Sequence, residues 1–156
     1  MQRVLSYFSF QGRSNRQRYW VTGVAIFVLL FLSALVIGAL GEIPVVGILA
    51  DLVFLGMLVA GVVAVLANGA RRLHDRGHSA WWLMLFTGVP TFLAIPAELA
   101  KYSGSEGAQM LGAILVLLGL PFSIWGFVVM GCLKGTAGPN KFGEDPLRPP
   151  MEEVLA

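Results

Sequence analysis

The chain has 156 residues, of which 56% are hydrophobic and only 13% are charged, and its formal net charge is +2. This balance is far from that of a soluble domain, in which about a quarter of the residues are charged. The composition therefore excludes an ordinary soluble protein. The charged residues are also segregated into short segments between long apolar runs.

Four apolar runs lack Asp, Glu, Lys and Arg altogether: residues 19–41, 52–70, 77–97 and 107–133. Each has about the ~20 residues that a helix needs to cross a ~30 Å hydrocarbon core. A soluble helical bundle is the alternative, but these runs lack the polar stripe of a surface helix. We therefore predict an all-α fold, an integral membrane four-helix bundle. We place its helices at about residues 20–41, 45–70, 79–98 and 109–133.

These helices form one transmembrane domain over residues 1–146, and the tail at 147–156 is expected to be loosely ordered. Helix one has a recognisable start, because Ser14 followed three residues later by Gln17 is a capping-box pattern, which predicts a beginning near Asn15. The apolar run starts too late, at Trp20, for a cleavable signal peptide. Four aromatic side chains are expected at the membrane–water interface: Tyr19, Trp20, Trp81 and Trp82.

Helix two contains an intramembrane carboxylate, Asp51. One interpretation is a proton or cation site. The other is an interfacial side chain that is hydrogen-bonded to Lys101 or to the loop at residues 103–105. At the opposite end, Arg71 and Arg72 close the helix, where the helix dipole favours cations.

Several residues in and around helices two to four indicate helix ends, bends and close packing. Gly77 is predicted to stop helix two and Ser79 to cap helix three. Prolines are expected to bend helices three and four: Pro90, Pro96 and Pro121. Two stripes of small residues predict close helix contacts, either within one chain or between copies: Gly56, Ala60, Ala64 and Asn68 on helix two, and Gly112, Gly119 and Gly126 on helix four.

The basic residues predict the orientation. All Lys and Arg residues except Lys101 lie before helix one, between helices two and three, or after helix four. These segments share one face of the bundle, which the positive-inside rule places in the cytoplasm. Both termini are therefore expected in the cytoplasm.

Three polar segments of this face, residues 10–20, 71–82 and 135–146, should meet in a compact bundle. The candidate cluster consists of Arg13, Arg16, Arg71, Arg72, His74, Asp75, Asn140 and Asp145. Asp75 and Asp145 are natural partners for the arginines, since guanidinium and carboxylate groups pair bidentately. Two interpretations stay open: a salt-bridged structure that holds the helix ends, or an anion site for a phospholipid headgroup or a phosphorylated ligand.

The same segments carry a family resemblance. The matching elements are Gly12-Arg13-Ser14 with Tyr19-Trp20, then Arg71-Arg72-Leu73-His74-Asp75 with Gly77, Ser79 and Trp81-Trp82, then Gly135-Thr136 with Gly138, Asn140, Phe142-Gly143 and Asp145-Pro146. In this order they resemble the family catalogued as domain of unknown function 805, a group of small bacterial inner-membrane proteins. Phe142 stands where tyrosine is expected at least as often. The resemblance implies the bacterial inner membrane and no established reaction.

Other chemistries have little support. The chain has no Walker-type loop, no nucleophile elbow and no paired carboxylates, so we predict that it is not an enzyme. His74 and His78, with Asp75 as a third ligand, are the one metal arrangement with suitable residue types, and neither a metal nor another cofactor is expected. Nucleic acid is not an expected partner, because the basic residues lie against the bilayer and no recognition fold is present.

We therefore expect a small membrane scaffold or binding module. Its arginine-rich cluster would bind anionic lipid headgroups or a phosphorylated ligand, and the small-residue faces would allow a homo-oligomer. The alternative is an oligomeric small-solute or ion transporter or channel, which would depend on Asp51.

Overall fold

The computed structural model describes residues 6–40 and 43–148, and within them the fold is all-helical and contains no β-strand. Four α-helices follow in order: α1 (Arg16–Leu40), α2 (Pro44–Asp75), α3 (Val89–Ala100) and α4 (Glu106–Phe127). A π-helical turn, Met84–Gly88, leads into α3, and a second one, Val128–Cys132, continues α4. The all-α prediction is confirmed. Residues 1–5 of the predicted domain, residue 41 at the end of predicted helix one, residue 42 after it, and residues 149–156 of the predicted tail lie outside the described residues.

Three helical runs are long and apolar enough to cross a membrane: Arg16–Leu40, Val45–Asp75 and Glu106–Cys132. The remaining apolar helix, Met84–Ala100, is shorter, and it begins later than the predicted range of 79–98. The delay arises because the chain first forms a tight turn, in which Trp82 N donates to Ser79 O at 3.2 Å and Leu83 N donates to Ala80 O at 2.9 Å.

The helix ends follow local chemistry. Gly77, with φ of 75°, stops α2 as predicted, and the His78 N–H donates back to Leu73 O at 2.9 Å, as in a Schellman motif. At the start of α1 the predicted cap is wrong by one residue. Asn15 Oδ1 accepts the N–H of Arg18 at 2.8 Å, because the Ser14 backbone is already bonded to α2.

The four helices form two hairpins. In hairpin A, α1 packs along α2, and in hairpin B, α3 packs along α4. Between the elements of the two hairpins, Cα atoms approach within 8 Å only where α1 and α2 meet the Val128–Cys132 turn. The described helices therefore differ from the compact bundle expected from sequence. Apolar helix surfaces gain little from meeting each other when lipid is equally apolar, so specific contacts decide where helices join.

The glycine stripe of α4 serves packing inside hairpin B. A Cβ on Gly112 would lie 2.6 Å from Ala97 Cα, and one on Gly126 would lie 2.6 Å from Phe86 Cβ. Gly119 meets Pro90 in the same way at 3.2 Å. Only glycine lets α3 and α4 approach this closely.

The small-residue stripe of α2 is divided. Ala64 and Asn68 are buried, and Asn68 Nδ2 donates to the Tyr19 carbonyl of α1 at 2.9 Å. A Cβ on Gly56, by contrast, would meet nothing within 4 Å. The half of the stripe nearest the end of α2 therefore packs within the chain, and the stripe becomes open towards Gly56.

The buried core lies where the hairpins join. This end of the molecule, where α1 and hairpin B begin and α2 and α4 end, is called the basic end below. Four buried apolar residues from both hairpins form a cluster there: Leu73, Phe86, Val129 and Met130. Trp82 packs against this cluster. The basic end is thus the part of the molecule that resembles a folded protein interior.

Candidate functional site

Asp75, the last residue of α2, lies at the centre of the basic end. Its carboxylate is 4% exposed and is shared by two arginines. Oδ1 lies 3.0 Å from Nη2 of Arg13, and Oδ2 lies 2.5 Å from Nη1 of Arg72. Arg72 belongs to the same helix, whereas Arg13 comes from the segment before α1. The predicted pairing of Asp75 with arginine is therefore present, and it joins distant parts of the chain.

The Arg13 guanidinium also binds the segment after α4. Nη1 donates to Gly138 O at 2.6 Å and to Gly143 O at 3.3 Å, and Nη2 donates to Thr136 O at 2.6 Å. Nε donates to Asp75 at 3.1 Å, so every nitrogen of the group has an acceptor. Because the side chain is 1% exposed, it acts as a buried cross-link between the chain's two ends.

Arg72 caps the end of hairpin B. Nε donates to Met130 O at 2.8 Å and Nη2 donates to Leu133 O, while Nη1 reaches Ser14 O at 3.4 Å. The last carbonyls of a helix lack partners within the helix, and a cation there is favoured by the helix dipole. A fully buried side chain of hairpin A therefore supplies the cap of hairpin B.

Gly135 and Thr136 fit against the end of α2. The backbone N–H and the hydroxyl of Thr136 both donate to the Asp75 carbonyl, at 2.8 Å and 2.9 Å. A Cβ on Gly135 would overlap the Asp75 carboxylate. Only glycine permits this approach, which explains why the two residues stand together in the motif.

The other predicted arginines bind carbonyls rather than carboxylates. Arg71 is buried and donates to Ser6 O at 2.9 Å and to Tyr7 O at 3.5 Å. Arg16 is exposed and donates from Nη1 to Cys132 O at 3.0 Å. Neither forms an ion pair with any residue in the ranges 6–40 and 43–148. Arg71 therefore fastens the N-terminal segment to hairpin A, and Arg16 links α1 to hairpin B.

His74 and Asn140 pack the loop onto α2. The His74 ring stacks on Phe142, with centroids 4.0 Å apart, and its Nδ1 lies 3.2 Å from Gly12 O. Asn140 Nδ2 donates to His74 O at 3.0 Å, and its Oδ1 accepts from Phe142 N. Asp75 is occupied by arginines, so it does not join the histidines as a metal ligand. Among the described residues, no three His, Cys, Asp or Glu side chains are grouped to hold a metal.

Asp145 does not take the predicted role of arginine partner. Its Oδ2 accepts the Gly138 N–H at 2.9 Å and its Oδ1 accepts the Leu147 N–H at 3.0 Å. These backbone donors are close to Asp145 in the chain, so the short loop places them against its carboxylate, as in an Asx turn. Together they lower the pKa of the Asp145 carboxyl below its ordinary value.

The predicted interface aromatics all lie at the basic end. Trp20 Nε1 donates to Gly131 O at 3.0 Å, and its ring meets Tyr19 edge-on at 5.7 Å. Trp82 packs against the buried cluster, whereas Trp81 is 79% exposed. Their contact with lipid stays a prediction.

Asp51 lies outside this site. It is exposed, and it forms no hydrogen bond or ion pair with the described part of the chain. Lys101, its predicted partner, instead contacts Glu98 Oε2 at 2.7 Å. The expected contact is absent because α2 and hairpin B are apart at that end.

Comparison with known proteins assigns the chain to a family. The family model described as "Protein of unknown function (DUF805)" matches residues 7–144. The chain belongs to this family. The resemblance inferred from the sequence is therefore confirmed, and the match covers the first two segments that meet around Asp75 and the third as far as residue 144.

Two relatives are proteins of Escherichia coli (strain K12). Inner membrane protein YhaH is 27% identical over 147 residues, which cover 90% of this chain and 89% of that protein. Inner membrane protein YhaI is 28% identical over 144 residues, which cover 90% of this chain and 88% of that protein. No solved structure gives a significant match.

Three contacts of the site were not predicted. Thr136 binds the Asp75 backbone, Arg76 donates to Lys134 O at 2.6 Å, and Asn68 holds α1 to α2. Only weak sequence features indicated these contacts. Thr136 and Arg76 stand inside the motif segments, and Asn68 precedes Arg72 by four residues, which puts both on one face of α2.

Proposed function

We propose that this chain is a multi-pass protein of the bacterial inner membrane, with both termini in the cytoplasm, and that it acts as a small scaffold or binding module rather than as an enzyme. Relatives named as inner membrane proteins support the location. The concentration of Lys and Arg at the basic end supports the orientation, since such residues accumulate on the cytoplasmic side.

Four crossings are part of this proposal, although one apolar helix is short. The run Met84–Ala100 is about 26 Å long at ~1.5 Å per residue. Spanning helices range down to about 17 residues, so this length is compatible with a crossing. With four crossings, the segments before α1 and after α4 emerge on the same side, where Arg13 already joins them.

The observation that carries the scaffold proposal is the shared Asp75 carboxylate. The nitrogens of Arg13 and Arg72 are all engaged by Asp75 and by carbonyls of three segments, namely the segment before α1, the end of hairpin B and the loop after it. An arrangement in which the buried donors are already occupied favours a structural joint over a catalytic centre. We therefore assign the Asp75 cluster, defined as Arg13, Arg72, Asp75 and Thr136, to holding the two hairpins in register.

Cysteine labelling in cells tests the topology. Against a Cys132→Ser background, Tyr102→Cys, at an exposed position of the loop between α3 and α4, should react with a membrane-impermeant maleimide in intact spheroplasts. Leu147→Cys should react only after the membrane is opened. The reverse pattern would refute the orientation.

Spin-label distances test the joint. Labels at Leu32 and Leu117, exposed residues on α1 and α4, report the separation of the hairpins in lipid nanodiscs. We expect a narrow distance distribution in the parent protein and a clearly broader one in Asp75→Asn. Glu98→Gln, which removes an exposed carboxylate from the other end, is the matched control. An unchanged distribution in Asp75→Asn would contradict the scaffold role of the cluster.

A further inference from the structure

A cavity of about 420 Å³, most of whose lining residues are of polar or charged type, lies beside the Asp75 cluster. It is formed by the start of α1 and the segment after α4, and its lining includes Asn15, Arg16, Gln17, Lys134 and Asp145. Arg72 and Asp75 form part of its wall. Its volume falls within the ~300–1,000 Å³ typical of small-molecule sites.

Two cations of this cavity have donors to spare. Arg16 uses one Nη1 bond, to Cys132 O, and its other N–H groups have no acceptor among the described residues. Lys134 is exposed, and its Nζ has no partner within the same ranges. A guanidinium carries five N–H donors and an ammonium three, so most of this hydrogen-bonding capacity is open.

The carboxylates of the cavity do not neutralise these cations. Asp75 is shared by two buried arginines, so that group keeps a net positive charge. Asp145 keeps its negative charge, but both of its oxygens accept backbone N–H groups rather than pairing with Arg16 or Lys134. Three cations and two carboxylates line the cavity, and Arg13 adds a further positive charge behind Asp75. The site is therefore electropositive where Arg16 and Lys134 are free.

We propose that this cavity binds a phosphate group, with Arg16 and Lys134 as the contacting cations. The inference rests on the proposed cytoplasmic orientation. It assigns to that face one ligand group, a phosphate, and one binding site, the cavity. It moves the anion site away from Arg13 and Arg72, whose nitrogens are already occupied. Arginine with lysine suits phosphate, since the first offers paired donors and the second a point charge.

The position of the cavity favours a phospholipid headgroup as the source of that phosphate. Arg16 and Trp20 are four residues apart, on one face of α1, and both donate to the end of hairpin B. From Trp20 onward α1 carries no charged side chain. The cavity thus lies at the depth where apolar surface begins, which is where lipid phosphates lie.

Native mass spectrometry of the full-length protein tests the site. The probes are phosphatidylglycerol, phosphatidylcholine and inorganic phosphate. The test variant is Arg16→Gln with Lys134→Gln. The matched control, Lys141→Gln with Arg148→Gln, removes the same charge from the same end at exposed residues outside the cavity lining. General attraction to an anionic lipid falls equally in both variants, so their difference isolates the cavity.

We expect the cavity variant to bind phosphatidylglycerol about tenfold more weakly than the control variant, at roughly the strength of one or two basic contacts. Preference for phosphatidylglycerol over phosphatidylcholine, with little competition from inorganic phosphate, identifies a lipid headgroup. Strong competition by inorganic phosphate, lost in the cavity variant, supports the phosphate site but assigns it to a soluble compound. Equal binding by the two variants overturns the proposal.

Two measurements keep the outcome interpretable. Lys134→Gln alone removes an exposed side chain without a described partner, so it tests the site if the double variant does not fold. Its expected loss is about threefold, and no loss overturns the proposal. Cysteine labelling of the same variants separates the two hypotheses. Reversed labelling refutes the proposed orientation, whereas correct labelling with unchanged lipid binding refutes only the phosphate site.

Discussion

Replacing Asp75 by asparagine removes the one negative charge that two buried arginines share. The guanidinium groups of Arg13 and Arg72 are 1% and 0% exposed, so they are largely shielded from water. Breaking a buried ion pair from one side costs about 3–5 kcal/mol. The carbonyl bonds of both arginines remain, which favours the lower part of this range. We expect Asp75→Asn to lower the free energy of unfolding by about 3 kcal/mol.

Unfolding of the purified full-length protein by SDS, followed by tryptophan fluorescence, measures this loss. Glu98→Gln is the control, because its pair with Lys101 is exposed and is worth at most about 1 kcal/mol. Combining Asp75→Asn with Arg13→Gln should cost less than the sum of the single changes, since one unpaired charge disappears. If Asp75→Asn destabilises the protein no more than Glu98→Gln, the buried pair is not what stabilises the basic end.

Three further changes address packing, titration and transport. Gly126→Leu should destabilise the protein by about 1–3 kcal/mol in the same SDS assay, because a Cβ at this position would lie 2.6 Å from the Phe86 side chain. Gly56→Leu is the control and should be nearly neutral, because a Cβ there meets no atom within 4 Å. The Asp145 carboxyl should titrate below its ordinary value of 3.8 in an NMR titration, because two N–H groups favour its ionised form. The ionised Asp145 carboxylate therefore stabilises the loop fully at neutral pH, and this stabilisation is lost as the pH falls through the lowered pKa. The difference in the free energy of unfolding between Asp145→Asn and the parent protein should shrink in acid. Asp51→Asn should leave unfolding and proton flux into proteoliposomes unchanged, because Asp51 is exposed and has no partner among the described residues.

Each of these has a clear contrary result. Equal stability of the Gly126 and Gly56 variants would show that α3 and α4 are not closely packed. An Asp145 pKa at or above 3.8 would contradict its two backbone bonds. Proton flux that falls in Asp51→Asn would favour the transporter alternative over the scaffold.

The extent of the helices could be predicted from the sequence because the signals are local. Apolar runs and the glycine after α2 act through neighbours in the chain, and the described helices follow them within a few residues. The cap predicted at Ser79 is wrong, because the π-helical turn that leads into α3 begins only at Met84. Where a residue far away in the chain competes, the prediction was wrong. Ser14 is a good cap by type, but its backbone is bonded to Arg71 O, so Asn15 caps α1 instead.

Pairing within the site could be predicted only in part. A carboxylate among arginines must find a partner, and Asp75 does. That Asp145 is taken by backbone N–H groups depends on the loop's own conformation, which residue types alone do not encode. The same holds for the close contact of Gly135 with the Asp75 carboxylate.

The sequence by itself determined that this is an all-helical chain with membrane-length apolar helices and a charged segment at one end, since both follow from composition and short-range order. Only the tertiary structure decided that the helices pair as two hairpins and that they join at the basic end. Apolar surfaces are interchangeable as partners, so they do not decide which helices pair or where the hairpins join. The joining of the hairpins is decided by directional hydrogen bonds from Arg13 and Arg72 to acceptors far away in the chain.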